Sequence, residues 1–185
     1  MIYTLTDIEN SSHIKEMISI CKSDSQVTGS KLRLAHYSLG RELTKAFELK
    51  LQSPIIICFL RAGIPFSLGV ADILDCPILF YDDKNASCFF QQQAKQLRNK
   101  FLVLIDSVIN TGKGILKVLE NLERTPKNTL IMTNVLCDKA IKKLSAYEIF
   151  TVRISQNSFI GTNIKVQNEN KGPDTGDRLF KTGLY

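Results

Sequence analysis

From residue 31 onward the chain alternates between two kinds of apolar pattern. Over Lys31–Lys50, the residues Leu32, Ala35, Leu39, Leu43, Ala46 and Phe47 recur at three- and four-residue spacing. Arg33, Arg41, Lys45 and Glu48 fill the other faces. That period predicts a long amphipathic helix, with Ser30 as its N-cap. Pro54–Leu60 is different: a short unbroken run rich in isoleucine, the pattern of a strand covered on both faces. Further strands are expected at Pro77–Tyr81, Phe101–Ile105, Leu130–Leu136 and Glu148–Ile154. Helices are expected between them at Phe66–Leu74, Gly114–Leu122 and Lys139–Leu144. Strands alternating with helices predict an α/β fold built on a mostly parallel sheet flanked by helices. Ligands of such sheets bind beyond the carboxyl ends of the strands, so the loops there carry the functional reading. Asp82–Asn99 breaks the alternation. It is polar and glutamine-rich, holds Phe89 and Phe90, and predicts a long flexible loop acting as a lid, with a plain surface loop as the alternative.

Composition narrows the class. A chain of 185 residues, 44% apolar, has the size of a single domain with a full core. The formal charge of +6 fits a polyanionic ligand, and the lysines and arginines are scattered rather than gathered into a nucleic-acid tail. Nucleic acid is therefore not the expected partner. Five cysteines, an odd number without Cys-x-x-Cys spacing, fit a reducing compartment and a cytoplasmic protein. With only His13 and His36, no metal site built from side chains is expected. No stretch reaches the roughly 20 apolar residues of a membrane helix, and Met1–Ser12 lacks the pattern of a signal peptide.

Three loops carry candidate chemistry. In Phe101–Gly114 a buried strand ends at Asp106, and Ser107, Val108, Ile109, Asn110, Thr111, Gly112, Lys113 and Gly114 lead into a helix. Small residues at a helix N-terminus let consecutive N–H groups converge on a phosphate. Thr111 adds a hydroxyl, Lys113 a charge, and Asp106 an acceptor for sugar hydroxyls. A phosphorylated sugar is the ligand these residues predict; the run is not a Walker A loop. The second loop, Leu60-Arg61-Ala62-Gly63-Ile64-Pro65, sets an arginine among small residues directly after a strand, which suits a pyrophosphate. The third, Gly172-Pro173-Asp174-Thr175-Gly176-Asp177-Arg178-Leu179-Phe180, is turn-rich and means little by itself.

Together these loops resemble the type I phosphoribosyltransferases, and within them the uracil phosphoribosyltransferase family. Val103–Gly114 is similar to the phosphoribosyl pyrophosphate fingerprint, Leu60–Gly63 to that family's Leu-Arg-Ala-Gly segment, and Pro173–Phe180 to its uracil-binding tail. The likeness runs from about Leu51 to the C-terminus, with the three motifs in matching order. The chain departs from it at Asp82, where the family has arginine, at Ser107, Lys113 and Pro173, and at Asn168, where the family has an aliphatic residue beside the base.

The resemblance implies one phosphoribosyltransferase-like domain over 1–185. Residues 1–30 form an N-terminal extension, 82–99 a lid loop and 168–185 a base-binding tail. It implies transfer of ribose 5-phosphate from phosphoribosyl pyrophosphate to uracil, giving UMP and pyrophosphate in pyrimidine salvage. Arg61, Asp106 and Asp174 would be catalytic. Arg61, Asp174 and the run from Asp106 to Gly114 would hold phosphoribosyl pyrophosphate. Asn168, Pro173, Asp174 and Thr175 would meet the base. It further implies Mg²⁺ bound mainly through the substrate, and a homo-oligomer. A phosphoribosyltransferase for another base, or a pyrimidine-responsive RNA-binding regulator on the same fold, are the alternatives.

Overall fold

The computed structural model describes residues 1–185. Its elements run β1 (Ile2–Thr4), α1 (Leu5–Ile8), α2 (Ser12–Cys21), α3 (Gly29–Ala46), β2 (Pro54–Phe59), α4 (Ile64–Leu74), β3 (Ile78–Tyr81), α5 (Ala86–Leu97) and β4 (Phe101–Ile105). Then come β5 (Val108–Ile109), α6 (Lys113–Asn121), β6 (Thr129–Cys137), α7 (Asp138–Leu144), β7 (Glu148–Ser155), β8 (Ile160–Thr162), β9 (Lys171–Pro173) and α8 (Thr175–Phe180). Seven strands form one sheet in the order β1-β7-β6-β4-β2-β3, with β5 also beside β6, and every pairing is parallel. This is the expected α/β architecture.

Alternation along the central strands divides the core in two. Ile56 and Cys58 of β2, with Val103 and Ile105 of β4, face α2, α3 and α4. Ile57 and Phe59, with Leu102 and Leu104, face α5, α6 and α7. Residues buried on both sides of a strand explain its unbroken apolar sequence. The covering helices α3 and α4 approach closely because Gly40 and Gly69 meet the facing backbone at Phe66 and Tyr37; a Cβ at either would overlap a carbonyl oxygen.

Four expectations change. The segment Asp82–Asn99 is not a loop: after a short turn at Asp83–Asn85 it forms α5. Ala86, Phe89 and Leu97 are buried, and the Phe89 and Phe90 rings pack 5.3 and 5.8 Å from Tyr81. Their spacing is helical, but the intervening glutamines weaken the pattern. Helix α3 begins at Gly29, with Thr28 rather than Ser30 before it and no side-chain cap. It stops at Ala46 because Phe47 turns inward against Tyr3 and Phe150, at 5.7 and 4.9 Å, and Glu48 takes a left-handed conformation. Within the phosphate-loop run, Val108–Ile109 is a short strand beside β6 rather than loop. The N-terminal extension, finally, is part of the fold: β1 pairs with β7 as the edge strand, and Ile14 and Met17 of α2 lie in the core.

Substituting Gly69 by Ala tests the close helix contact. Overpacking of this kind costs roughly 1–3 kcal/mol. Urea unfolding should show a lower midpoint at unchanged slope, and an unaltered midpoint would mean that the helices can move apart freely.

Candidate active site

The strand order reverses between β2 and β4. From β2 the chain moves through α4 to β3; from β4 it moves through α6 towards β6 and β7, on the other side. Right-handed crossovers in opposite directions put α4 and α6 on opposite faces and leave a crevice where the two strands end. Arg61 lies just beyond β2, and Asp106 just beyond β4. A cleft of about 490 Å³ opens there, lined by Arg61, Ala62, Asp82, Lys84, Asp106, Val108 and Asn110. Phe159, Gly161 and Pro173–Gly176 close its far side. The three loops singled out in the sequence thus meet at one place.

The phosphate loop borders a second hollow of about 190 Å³ at the N-terminus of α6, continuous with Asp106. Gly112 adopts φ +71°, a left-handed conformation that suits glycine and turns the chain into the helix. Thr111, Lys113 and Gly114 are exposed around it. The Asn110 side chain is engaged elsewhere: its Nδ2 donates to the Phe159 carbonyl at 3.0 Å. Ile109 points into the core. Ser107 is fully buried, its hydroxyl donating to the Ala62 carbonyl at 2.6 Å and lying 3.2 Å from His36 Nδ1. Of the run 106–114, then, Ser107 and Ile109 offer no side chain to a ligand.

Ser107 instead ties the phosphate loop to the arginine loop. Burial lowers the His36 pKa to about 3, so the ring is neutral and acts only as a hydrogen-bond partner. The ring nitrogen facing Ser107 also lies 3.4 Å from Asn134 Nδ2, so His36 links the phosphate loop to β6 as well. Gly63 completes the junction: a Cβ there would sit 2.6 Å from the Phe59 carbonyl oxygen and 2.9 Å from that of Ile105. The peptide between Leu60 and Arg61 is cis.

Arg61 is half-exposed and paired. One terminal nitrogen donates to Asp177 Oδ1 at 2.8 Å and the other to Thr182 Oγ1 at 3.1 Å. The Thr182 hydroxyl and Arg61 together hold the Asp177 carboxyl below the usual range. Asp174 caps α8, accepting from the Asp177 N–H at 2.9 Å. Its other carboxylate oxygen crowds Gly161, where a Cβ would come within 2.8 Å. Pro173 is buried and Thr175 half-buried at the cleft wall. Asn168 is not brought there: it sits on an exposed turn, exchanging backbone hydrogen bonds with Lys171, beside Glu169 at positive φ. The tight reversal turns it outward, so its expected contact with the base has no geometric basis.

Sequence reasoning missed Phe159, Gly161 and Lys84. Phe159 follows a polar run, Ser155–Ser158, that reads as bare loop; the lone aromatic after it was the available signal. No three His, Cys, Asp or Glu side chains converge to hold a metal ion.

The model for the uracil phosphoribosyltransferase family matches residues 25–182. The chain belongs to that family. It is a phosphoribosyltransferase, an enzyme that moves a pentosyl unit. A comparison with curated proteins finds no match. Among solved structures, the AQ2163 protein of Aquifex aeolicus is similar at 15% identity, covering 100% of both chains, with a TM-score of 0.63. The APRTase of Giardia lamblia, complexed with 9-deazaadenine, is similar at 16% identity over 65% of this chain and 80% of its own, with a TM-score of 0.53. The TT1426 protein of Thermus thermophilus is similar at 16% identity over 68% of this chain and 86% of its own, with a TM-score of 0.51. At such identities the likeness speaks for the fold, a mostly parallel sheet with helices on both faces. No helix is long and apolar enough to cross a membrane.

Asp106 carries a strongly shifted carboxyl at the cleft of this phosphoribosyltransferase. Burial pushes its pKa up to about 7; the N–H groups of Val108 and Ser107 pull it down, and the Asp174 charge pushes it up again. A carboxyl raised from 3.8 binds its proton more tightly in the folded state, so its contribution to stability is complete below pH 3.8 and is lost as pH rises through 7. Asp106→Asn should remove that slope. Ligand hydroxyls, by contrast, need the ionised form as acceptor. If Asp106 accepts them, affinity for phosphoribosyl pyrophosphate should rise more steeply between about pH 6 and 8 in the wild type than in Asp106→Asn, whose remaining pH dependence is that of the ligand phosphates. Calorimetric titration across this range checks it, and equal slopes in the two would refute it.

Proposed function

We propose that the protein transfers ribose 5-phosphate from phosphoribosyl pyrophosphate to uracil, giving UMP and pyrophosphate, as a cytoplasmic enzyme of pyrimidine salvage. The observation that carries this reading is the convergence of Pro173–Gly176, the stretch resembling the uracil-binding tail, on the same cleft as Arg61 and Asp106. A base beside Thr175 would face a sugar held at Asp106, with the 5-phosphate in the hollow at the start of α6. The C1–pyrophosphate bond breaks, a bond from C1 to a ring nitrogen forms, and that nitrogen loses its proton.

The transition state resembles an oxocarbenium ion, as in other glycosyl transfers. The work left to the protein is positioning and stabilising charge on the leaving group. Arg61 would supply this charge, and Lys84 also lines the cleft. Mg²⁺ would be carried mainly on substrate oxygens and waters. The ion supplies charge neutralisation to the pyrophosphate. Asp106 accepts the sugar hydroxyls, and Asp174 fixes the tail by capping α8. The turn at Asp82–Asn85 is the part of the expected lid that borders the cleft.

Turnover of labelled phosphoribosyl pyrophosphate with uracil, cytosine, hypoxanthine and orotate tests the reading. A pyrimidine should be used and a purine rejected. A site built on hydrogen bonds discriminates by about 10⁴ or more when groups go unpaired. Use of hypoxanthine alone would keep the phosphoribosyltransferase and discard the uracil assignment.

Arg61→Ala should slow turnover by about 10²–10³ while base affinity changes little, because its partner charge grows only as pyrophosphate leaves. A rate within about threefold of wild type, roughly 0.65 kcal/mol, would exclude Arg61 as a leaving-group ligand.

A further inference from the structure

A second cavity, about 260 Å³, lies directly behind the base side of the cleft and shares Val108, Asn110, Phe159 and Thr175 with it. The sheet register explains why. Val108 of β5 pairs with Val135 of β6, and Val135 pairs with Arg153 of β7. Residues in register on parallel strands project to the same face, so these three side chains form one row across the carboxyl end of the sheet. Two strand spacings of about 4.8 Å place the Arg153 backbone roughly 10 Å from that of Val108. All three residues line the cavity.

Arg153 is unlike the other arginines near the site. Arg61 is paired with Asp177, and Arg178 donates to the carbonyls of Lys22 and Val27 at 2.9 and 3.0 Å and to Ser25 Oγ at 3.1 Å. The Arg153 guanidinium has no hydrogen-bond partner in the protein, and its Nε is shut off from solvent. Lys22, Arg153 and Arg178 stand around the cavity against the single carboxylate of Asp24. Cys21, in the same wall, adds no charge at neutral pH because burial pushes its pKa up to about 11. An unpaired guanidinium in a net-positive hollow is a recognition site for a carboxylate, which it can meet with two parallel hydrogen bonds.

We propose that the base subsite continues to Arg153, and that it admits, besides uracil, a pyrimidine bearing a carboxylate, which the Arg153 guanidinium reads. This rests on the assignment of Pro173–Gly176 to the base. The acidic substituent passes between Val108 and Thr175 into the second cavity, leaving the ring edge to the tail loop. Plain uracil fills only the outer part and leaves Arg153 unpaired.

The test is calorimetric titration of uracil, orotate and 5-carboxyuracil, with adenine and hypoxanthine alongside, onto the protein saturated with a non-hydrolysable phosphoribosyl pyrophosphate analogue. At least one carboxylated uracil should bind about tenfold or more tighter than uracil, the scale of a charge-assisted contact. In Arg153→Gln that preference should vanish while uracil binding stays within about threefold of wild type. Equal binding of uracil and both carboxylated forms by the wild type overturns the subsite and leaves the uracil reading standing. Retention of the preference in Arg153→Gln overturns it as well. If no pyrimidine binds, the uracil reading and the subsite fall together. Should Arg153→Gln not fold, the wild-type comparison decides alone.

Discussion

The site depends on the reversal of strand order between β2 and β4. Parallel strands need crossovers, and right-handed crossovers running in opposite directions cannot cover the same face. Helices α4 and α6 are therefore driven apart, and the ends of β2 and β4 stand uncovered between them. Arginine and aspartate are placed there by chain connectivity before any side chain interacts. The apolar content of the central strands serves the same end. Buried on both faces, β2 and β4 are held rigidly, so the loops that leave them start from fixed points.

The loops are then cross-linked by hydrogen bonds rather than by packing. Ser107 joins the phosphate loop to Ala62 of the arginine loop. Arg61 joins that loop to the tail through Asp177, and Asn110 joins the phosphate loop to Phe159. The tail is fixed in turn by Arg178, which is 2% exposed and reaches the backbone of the N-terminal segment, and by Arg33, whose guanidinium donates to the Leu179 carbonyl at 2.7 Å. Buried guanidinium donors met by carbonyls hold position strongly, since unpairing either side costs the desolvation of a polar group. The N-terminal residues thus act on the cleft at a distance, as the seat on which the C-terminal tail rests.

What could be read from the sequence followed from the range of the interactions involved. The strands β2, β4 and β6 and the helix α3 were legible because burial on both faces, or on one, writes a local period into the chain. The meeting of the loops after β2 and β4 was legible because backbone geometry at a strand end needs small residues nearby. Helix α5 was hidden because glutamines fill much of its length and only Ala86, Phe89 and Leu97 mark its buried side. The edge strand β1 was hidden for another reason: three residues carry no periodicity, and their pairing partner lies at Ile149–Thr151, at the far end of the chain. Ser107 and Asn168 show the limit of assigning side chains by position in a run. Whether a residue faces the cleft depends on the local turn, which neither composition nor spacing records.

The charges at the cleft explain how it accommodates an anionic ligand. The pair between Arg61 and Asp177 is half-exposed, with the arginine side chain 50% accessible. Exposed pairs are worth little, with a median of roughly 0–1 kcal/mol. Under the proposed function a pyrophosphate would take over the guanidinium at small cost, with Thr182 left as a hydrogen-bond donor to Asp177. Asp106 is in the opposite situation. Its carboxyl is desolvated and feels the charge of Asp174, so near neutral pH it holds a proton for part of the time. Under the proposed function, sugar hydroxyls donating to it would favour the ionised form, as would a cation on the neighbouring phosphate oxygens. On that reading, binding and deprotonation would be one linked equilibrium, and the desolvation that makes Asp106 a poor carboxylate in the empty cleft would make it a strong acceptor in the filled one.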